Sequence, residues 1–368
     1  MSNKSKSKFV FERNHLSHIK NILRLRIYED RNLKKGLRLN RNERVLDFPK
    51  NLLSHIFKNV KSYDLAKYSD QTLIYKHLSS FLKLNENNFY ITQGIDGAIK
   101  NIFEIFTKPN DKILCLYPTY AMYEIYSKIF RTRFMKVTYN AVTFKLNIND
   151  LIYKIKQKPK ILFLPNPNQP IEDNLTYSQL DKICLLCKKN NVMLVVDEAY
   201  HMFGSSTGKG LILKHNNLVI LRTFSKSFGL PSIRLGYIIS CNKIIHILKT
   251  FRLSYETNFL TDTVAIYFLK KFKLIKKYIN DVKTGRAYFT KKVKKLGFDV
   301  IGKKSNFLLI NFKNENICKN VYNGFLKDLI YVKSNYKYPL NSCLLLTCAP
   351  KNLMEKVYSS LKRSINKC

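Results

Sequence analysis

Six short apolar runs, starting near residues 89, 112, 160, 192, 218 and 235, narrow the folds open to this chain more than anything else in it. Each is too short for a helix of its own, and most are apolar at every position. That pattern marks strands buried on both faces of a sheet. Stretches with helical periodicity separate the runs, so the expected class is α/β with a parallel or mixed sheet. From Thr261 onward the texture changes. Phe268, Phe272, Ile275, Ile279, Val282, Phe289, Val293 and Leu296 recur at spacings of three, four or seven, which predicts one long amphipathic helix or two. Strand-like segments follow at Phe307 (FLLINF), Leu329 (LIYVK) and Cys343 (CLLLT). The expected organisation is a basic N-terminal arm over 1–36, with an amphipathic helix at His15–Arg26, then a large domain over 37–260 and a smaller α/β domain over 261–368.

Composition excludes several classes. At 368 residues with 45% hydrophobic and 13% aromatic content, the chain has ample material for a packed core, so wholesale disorder is excluded. No run of about 18 apolar residues occurs, so no membrane span is predicted. The N-terminus is charged without an apolar signal core, and a cytoplasmic location is expected. A formal charge of +40 invites a nucleic-acid reading, but the lysines are scattered along the whole length. No specific nucleic-acid partner is expected, only nonspecific binding at low salt. Of the eight cysteines, Cys184 and Cys187 form a C-x-x-C inside a helical stretch, with no second pair at zinc-site spacing. Neither a metal site nor a disulfide framework is predicted.

The ends of the apolar runs carry the chemistry, as expected for open sheets, where ligands gather at strand carboxyl ends. Leu218–Leu221 leads into Thr223, Ser225 and Lys226, and Arg234 follows eight positions after the lysine. Hydroxyls and a guanidinium so close together can surround an anion. An amine partly withdrawn from water has a lowered pKa and attacks carbonyls. Asn191–Gly204 is a second such segment, an apolar strand that ends in the carboxylate of Asp197, with Tyr200 three residues on. A buried aspartate is costly unless a cation pairs with it. Phe89–Thr92 meets a glycine turn at Gly94 and then a helix, whose N-terminal N–H groups suit a phosphate.

The order T-x-S-K-x-F-G, with arginine eight positions after the lysine, resembles the Schiff-base segment of fold-type I pyridoxal-phosphate enzymes, above all the histidinol-phosphate aminotransferase group. The resemblance runs from about Leu37 to Ser360 and implies a mainly parallel seven-stranded sheet in the large domain. By it Lys226 would bind the cofactor covalently, while Thr223, Ser225 and Arg234 would hold its phosphate, helped by the turn at Ile95 and Asp96. Tyr120, ending the P-T-Y of the second run, would stack on the pyridine ring, and Tyr123 would line the substrate side. Asp197 would pair with the pyridine nitrogen and Tyr200 would meet the phenolic oxygen. The family's P-N-P-N-N-P-T-G reads P-N-P-N-Q-P-I-E here, so either Asn168 or Gln169 would reach that oxygen. Asn42 and Glu43 match the family's N-E-N-P segment without its proline. Tyr68 matches a tyrosine that crosses to the partner's cofactor phosphate, which implies a homodimer.

The implied activity is transfer of an amino group between a small-molecule amino donor and a carbonyl acceptor. A decarboxylase or lyase of the same fold is the alternative, and a non-catalytic basic binding protein a more distant one. One departure bears on substrate. The family's carboxylate-binding arginine lies in an L-R-[IVL]-T strand, but here the strand is L-L-L-T, with Leu345 in its place and Lys333 at a second basic position twelve residues earlier. Leucine cannot form the bidentate pair that arginine forms, and lysine offers only a point charge. A substrate without an α-carboxylate at that locus is therefore expected, the alternative being that an arginine from elsewhere, such as Arg41 or Arg252, reaches in.

Overall fold

The computed structural model describes residues 36–365. The arm helix expected at His15–Arg26 lies outside the described residues. The two-residue strand β1 (Leu37–Arg38) opens them, and helices α1 (Leu52–Phe57) and α2 (Thr72–Leu82) follow. Then come β2 (Phe89–Thr92), α3 (Gly94–Phe106), β3 (Lys112–Tyr117), α4 (Met122–Ile129), β4 (Arg133–Thr138), α5 (Ile148–Lys156), β5 (Ile161–Pro165), α6 (Tyr177–Lys189), β6 (Met193–Asp197), β7 (Leu218–Thr223) and β8 (Gly236–Ser240). These seven strands, β2 to β8, form one sheet in the order β2-β8-β7-β6-β5-β3-β4. β8 runs opposite to the other six strands, which are parallel to one another.

Every residue of the central strands β5, β7 and β8 is buried, as their uninterrupted apolar runs predict for a sheet covered on both faces. Within this sheet the strand that periodicity misses is β4. Its sequence, RFMKVT, carries charge because it is an edge strand, paired on one side only. Local chemistry sets the helix starts. At α6, Thr176 Oγ1 accepts from the Gln179 N–H and Gln179 Oε1 accepts from the Thr176 N–H. This reciprocal cap is worth about 1 kcal/mol.

After α7 (Asn242–Thr250) the expected helical stretch is two helices, α8 (Phe259–Lys270) and α9 (Phe272–Lys295). They lead to β9 (Asp299–Ile301), β10 (Phe307–Asn311), α10 (Glu315–Lys327), β11 (Ile330–Tyr331), β12 (Cys343–Thr347) and α11 (Lys351–Ile365). A separate antiparallel sheet has the order β12-β10-β9. Only two residues of the LIYVK run become strand, because their partner is the equally short β1, in parallel register. The first described segment therefore lies against the C-terminal sheet. Leu39 O accepts from the Thr347 N–H at 2.7 Å, and this brings Asn40–Glu43 to the mouth of the large sheet.

Candidate active site

One cavity of about 710 Å³ opens at the carboxyl ends of the central strands. Its wall includes Ile95, Asp96, Tyr120, Tyr123, Asn168, Gln169, Asp197, Tyr200, Thr223, Ser225, Lys226, Arg234 and Lys333. These are thirteen of the fifteen residues singled out in the sequence, drawn from segments spread over more than two hundred positions.

Lys226 follows β7, and its Nζ donates to the carbonyl of Arg41 at 3.2 Å. Burial lowers its pKa to about 8, with Glu43 opposing that fall and Arg234 adding to it. Asp197 ends β6, with Tyr123 Oη donating to its Oδ2 at 2.6 Å and the Ala199 N–H to its Oδ1 at 3.0 Å. No cationic side chain lies within ion-pair distance of it among the described residues. Burial therefore raises its pKa to about 6, although the Tyr123 hydrogen bond works against that rise. A carboxylate held this way is set up to receive a cation from a ligand.

At the opposite end, Thr223 Oγ1 accepts from the Ser225 N–H and donates to Ser225 Oγ, both at 3.0 Å. Arg234 adopts a left-handed conformation that turns its guanidinium back over the first turn of α3, 3.4 Å from Asp96 Oδ2. Two glycines make room for this. A Cβ on Gly94 would stand 2.9 Å from Arg234 Nη2, and one on Gly236 would stand 2.6 Å from the Gly94 backbone. The N–H groups of the first α3 turn, two hydroxyls and an arginine thus share a small space, an anion cradle in charge and geometry.

Between cradle and carboxylate stands Tyr120, its Oη donating to Asp96 Oδ1 at 2.6 Å. Tyr200 Oη donates to Gln169 Oε1 at 3.2 Å and accepts from Asn42 Nδ2 at 3.1 Å. The amide of Asn168 is already committed, accepting from Thr119 Oγ1 and donating to the carbonyls of Pro118 and Ile171. Of the two amides left open by the sequence, only that of Gln169 is directed at Tyr200.

The pattern of the aminotransferase class I and II family matches residues 39–361. The chain belongs to that family. Histidinol-phosphate aminotransferase of Clostridium novyi is 29% identical over 347 residues, 93% of this chain and 96% of that relative. The enzyme of the same name from Brachyspira hyodysenteriae is 32% identical over 289 residues, 76% of this chain and 79% of the relative. Among solved structures, histidinol-phosphate aminotransferase from Clostridium acetobutylicum superposes with a TM-score of 0.80 at 25% identity, over 90% of this chain and all of that one (100%). The Sinorhizobium meliloti enzyme, solved in complex with pyridoxal 5'-phosphate, gives 0.81 at 19% identity, over 90% of this chain and 91% of that one.

The protein is thus a pyridoxal-phosphate-dependent aminotransferase of fold type I, and the cavity fits that cofactor. It offers an anion cradle at one end, an uncompensated buried carboxylate at the other and an amine between them. Three of the residues singled out in the sequence of this aminotransferase stand as follows. Tyr123, expected on the substrate side, is fully buried, and its hydroxyl is spent on Asp197. Leu345 is buried within β12 and is absent from the cavity wall. Tyr68 is 78% exposed and lines a different cavity, stacked on Tyr255 at 4.4 Å. The wall also includes Arg41 and Glu43, from the segment that resembles the family's N-E-N-P, and Asn40 and Thr119, for which the sequence alone predicts no place in the cavity. The signal that could have found Asn40 is the same N-R-N-E run. Its Asn42 takes a positive φ of 55°, tolerable for asparagine, and turns the chain at the cavity mouth.

Proposed function

We propose that this aminotransferase acts on an amine that places neither an α-carboxylate nor a phosphate at the locus the family's arginine serves, and that the wall residues divide the work as follows. Lys226 Nζ is the group that binds the cofactor and the base that takes and returns a proton at the substrate carbon. Arg234, Thr223, Ser225 and the Ile95–Asp96 turn hold the phosphate; Tyr120 lies against the ring; Gln169 and Tyr200 address its oxygen. Asp197, held by Tyr123, keeps the ring nitrogen protonated. When bound, pyridoxal phosphate supplies an aldehyde for the amino group and a ring that draws electrons from the substrate carbon.

The observation behind the substrate reading is the pairing of Lys333 with Leu345. Each N–H donates to the other's carbonyl at 2.9 Å, so the two side chains leave the same face of the strand pair. Lys333 reaches the cavity wall, and the leucine stops short in the core beneath it. An arginine at 345 would emerge beside Lys333, but with leucine there the Lys333 ammonium gains no guanidinium fork from β12. A second reading is favoured by Arg41, which lines the same cavity and could pair with a carboxylate or phosphate group, as would suit an activity like that named for the relatives. Half-reactions with glutamate, aspartate and histidinol phosphate separate the two. On the first reading, wild type reacts poorly and Leu345→Arg gains about ten- to a hundredfold in kcat/KM, the value of one charge-assisted contact. If wild type is already efficient and Arg41→Ala destroys that efficiency, the second reading stands.

We further propose a homodimer and the division into domains 37–260 and 261–368. Leu65, Tyr68, Leu73, Phe251, Leu253 and Tyr255 are all exposed, and Tyr68 is absent from the wall of its own chain's active-site cavity. A partner covering this apolar face would bury more than roughly 2,000 Å², the range of obligate pairs, and would place Tyr68 at the neighbour's phosphate cradle. Sedimentation at micromolar concentration should give a dimer. A fully active monomer would remove the idea.

A further inference from the structure

Glu172 is a buried carboxylate that no cationic side chain neutralises within ion-pair distance, among the described residues, and it takes no direct part in the cavity. Its Oε1 accepts from the N–H groups of Lys303 and Lys304, each at 2.7 Å, and from Asn174 Nδ2 at 2.9 Å. Its Oε2 accepts from Ser305 Oγ. A buried carboxylate is tolerable when donors surround it, and here three of the four come from one loop between β9 and β10. Glu172 itself lies three residues beyond Gln169. The loop after β5 thus holds both a cavity amide and the acceptor that fixes a loop from the other sheet.

That second loop continues directly to the groups that hold Tyr200. Asn306 Nδ2 donates to the carbonyl of Asn42 at 3.2 Å, and Asn42 Nδ2 donates to Tyr200 Oη. Phe307 packs edge-on against the Tyr200 ring at 5.1 Å. The phenol is therefore held by its oxygen through Asn42 and by its ring through Phe307; the loop that Glu172 anchors holds Asn42 through Asn306, beside the Thr347 hydroxyl that accepts from the Asn42 N–H, and runs directly into Phe307. We propose that Glu172 is a positioning residue for the cofactor: by fixing 303–307 it sets where the Tyr200 hydroxyl stands. This rests on the proposed role of Tyr200 at the cofactor oxygen.

The test reads the bound cofactor rather than turnover. The visible absorbance of the holoenzyme is titrated with pH for wild type, Tyr200→Phe, Glu172→Ala, Glu172→Gln and the double variant Glu172→Ala/Tyr200→Phe. Val321→Ala, a buried truncation on α10 that none of these hydrogen bonds touches, is the control for lost stability. Tyr200→Phe should move the midpoint by about one pH unit, as loss of one hydrogen bond to a titrating group does. Glu172→Ala should move it the same way by roughly half a unit, and Glu172→Gln by less. In the Tyr200→Phe background Glu172→Ala should add nothing. If Glu172→Ala does not fold, Glu172→Gln carries the same comparison. The proposal is overturned if the Glu172 variants move the midpoint no more than Val321→Ala, or if their shift persists undiminished without the Tyr200 hydroxyl. If Tyr200→Phe itself leaves the midpoint unmoved, the assignment of Tyr200 has failed, and the role of Glu172 falls with it.

Discussion

Lys226→Ala is expected to lower turnover by about a thousandfold or more and to leave nothing that borohydride can fix to the polypeptide. Two losses coincide in that one amine. The covalent hold on the cofactor disappears, and so does the base at the substrate carbon, itself worth about 10²–10⁴-fold. The position is not interchangeable with its neighbours. Lys226 Nζ is held inward by the Arg41 carbonyl, and burial brings its pKa down to about 8, so a substantial neutral fraction exists near physiological pH. Lys333, the other lysine on the wall, lies on the side of the C-terminal strands. Lys333→Ala should therefore change KM while leaving borohydride fixation intact. Near-normal turnover in Lys226→Ala would sink the assignment, and retained fixation would move the linkage to another lysine.

Much of this site could be read from the sequence because its groups sit where a strand ends, and a strand end shows in one dimension. Asp197 closes an apolar run, where a carboxylate needs a reason. Lys226 sits between hydroxyls and an arginine in a segment dense enough to be identified as a cofactor motif. Tyr123 is different. Its partner lies 74 positions away, and nothing in the P-T-Y-A-M-Y stretch marks one tyrosine as bound to a buried carboxylate and the other as open to the cavity. Glu172 could be seen only as a departure from the family pattern, since its donors are mostly backbone N–H groups that any residues at 303 and 304 would present. The position of Leu345 was legible as a missing arginine. That its side chain stops in the core beneath Lys333 required the register of β12. The strand β4 was hidden by its own edge position, which admits the charges that blurred its pattern.

Asp197→Asn should act with opposite signs on the two forms of the protein. In the chain alone the carboxyl has a pKa of about 6, raised by burial above its ordinary value of 3.8. A carboxyl whose folded pKa lies above its unfolded one stabilises the fold fully below the lower value, and that contribution is lost as pH rises through the higher one. At pH 8 the cofactor-free wild type therefore bears a penalty on the order of 2–3 kcal/mol, about two pKa units. Asparagine removes the charge and can keep both contacts. Its Oδ1 would accept from the Ala199 N–H, and its Nδ2 would donate to the Tyr123 hydroxyl, which can rotate to accept. Cofactor-free Asp197→Asn is thus expected to unfold at a higher temperature than wild type at pH 8 and at nearly the same temperature at pH 4. With cofactor the sign should reverse, because the carboxylate proposed to pair with the protonated ring nitrogen is gone. Turnover should fall by roughly a hundredfold or more, with weaker cofactor binding, as for loss of a buried charge partner. Melting curves of both forms at the two pH values, alongside half-reaction rates, check the whole pattern. If the variant without cofactor is less stable at pH 8, the Asp197 carboxylate is not an uncompensated charge in the empty cavity. If its turnover matches wild type, Asp197 is not the partner of the ring nitrogen.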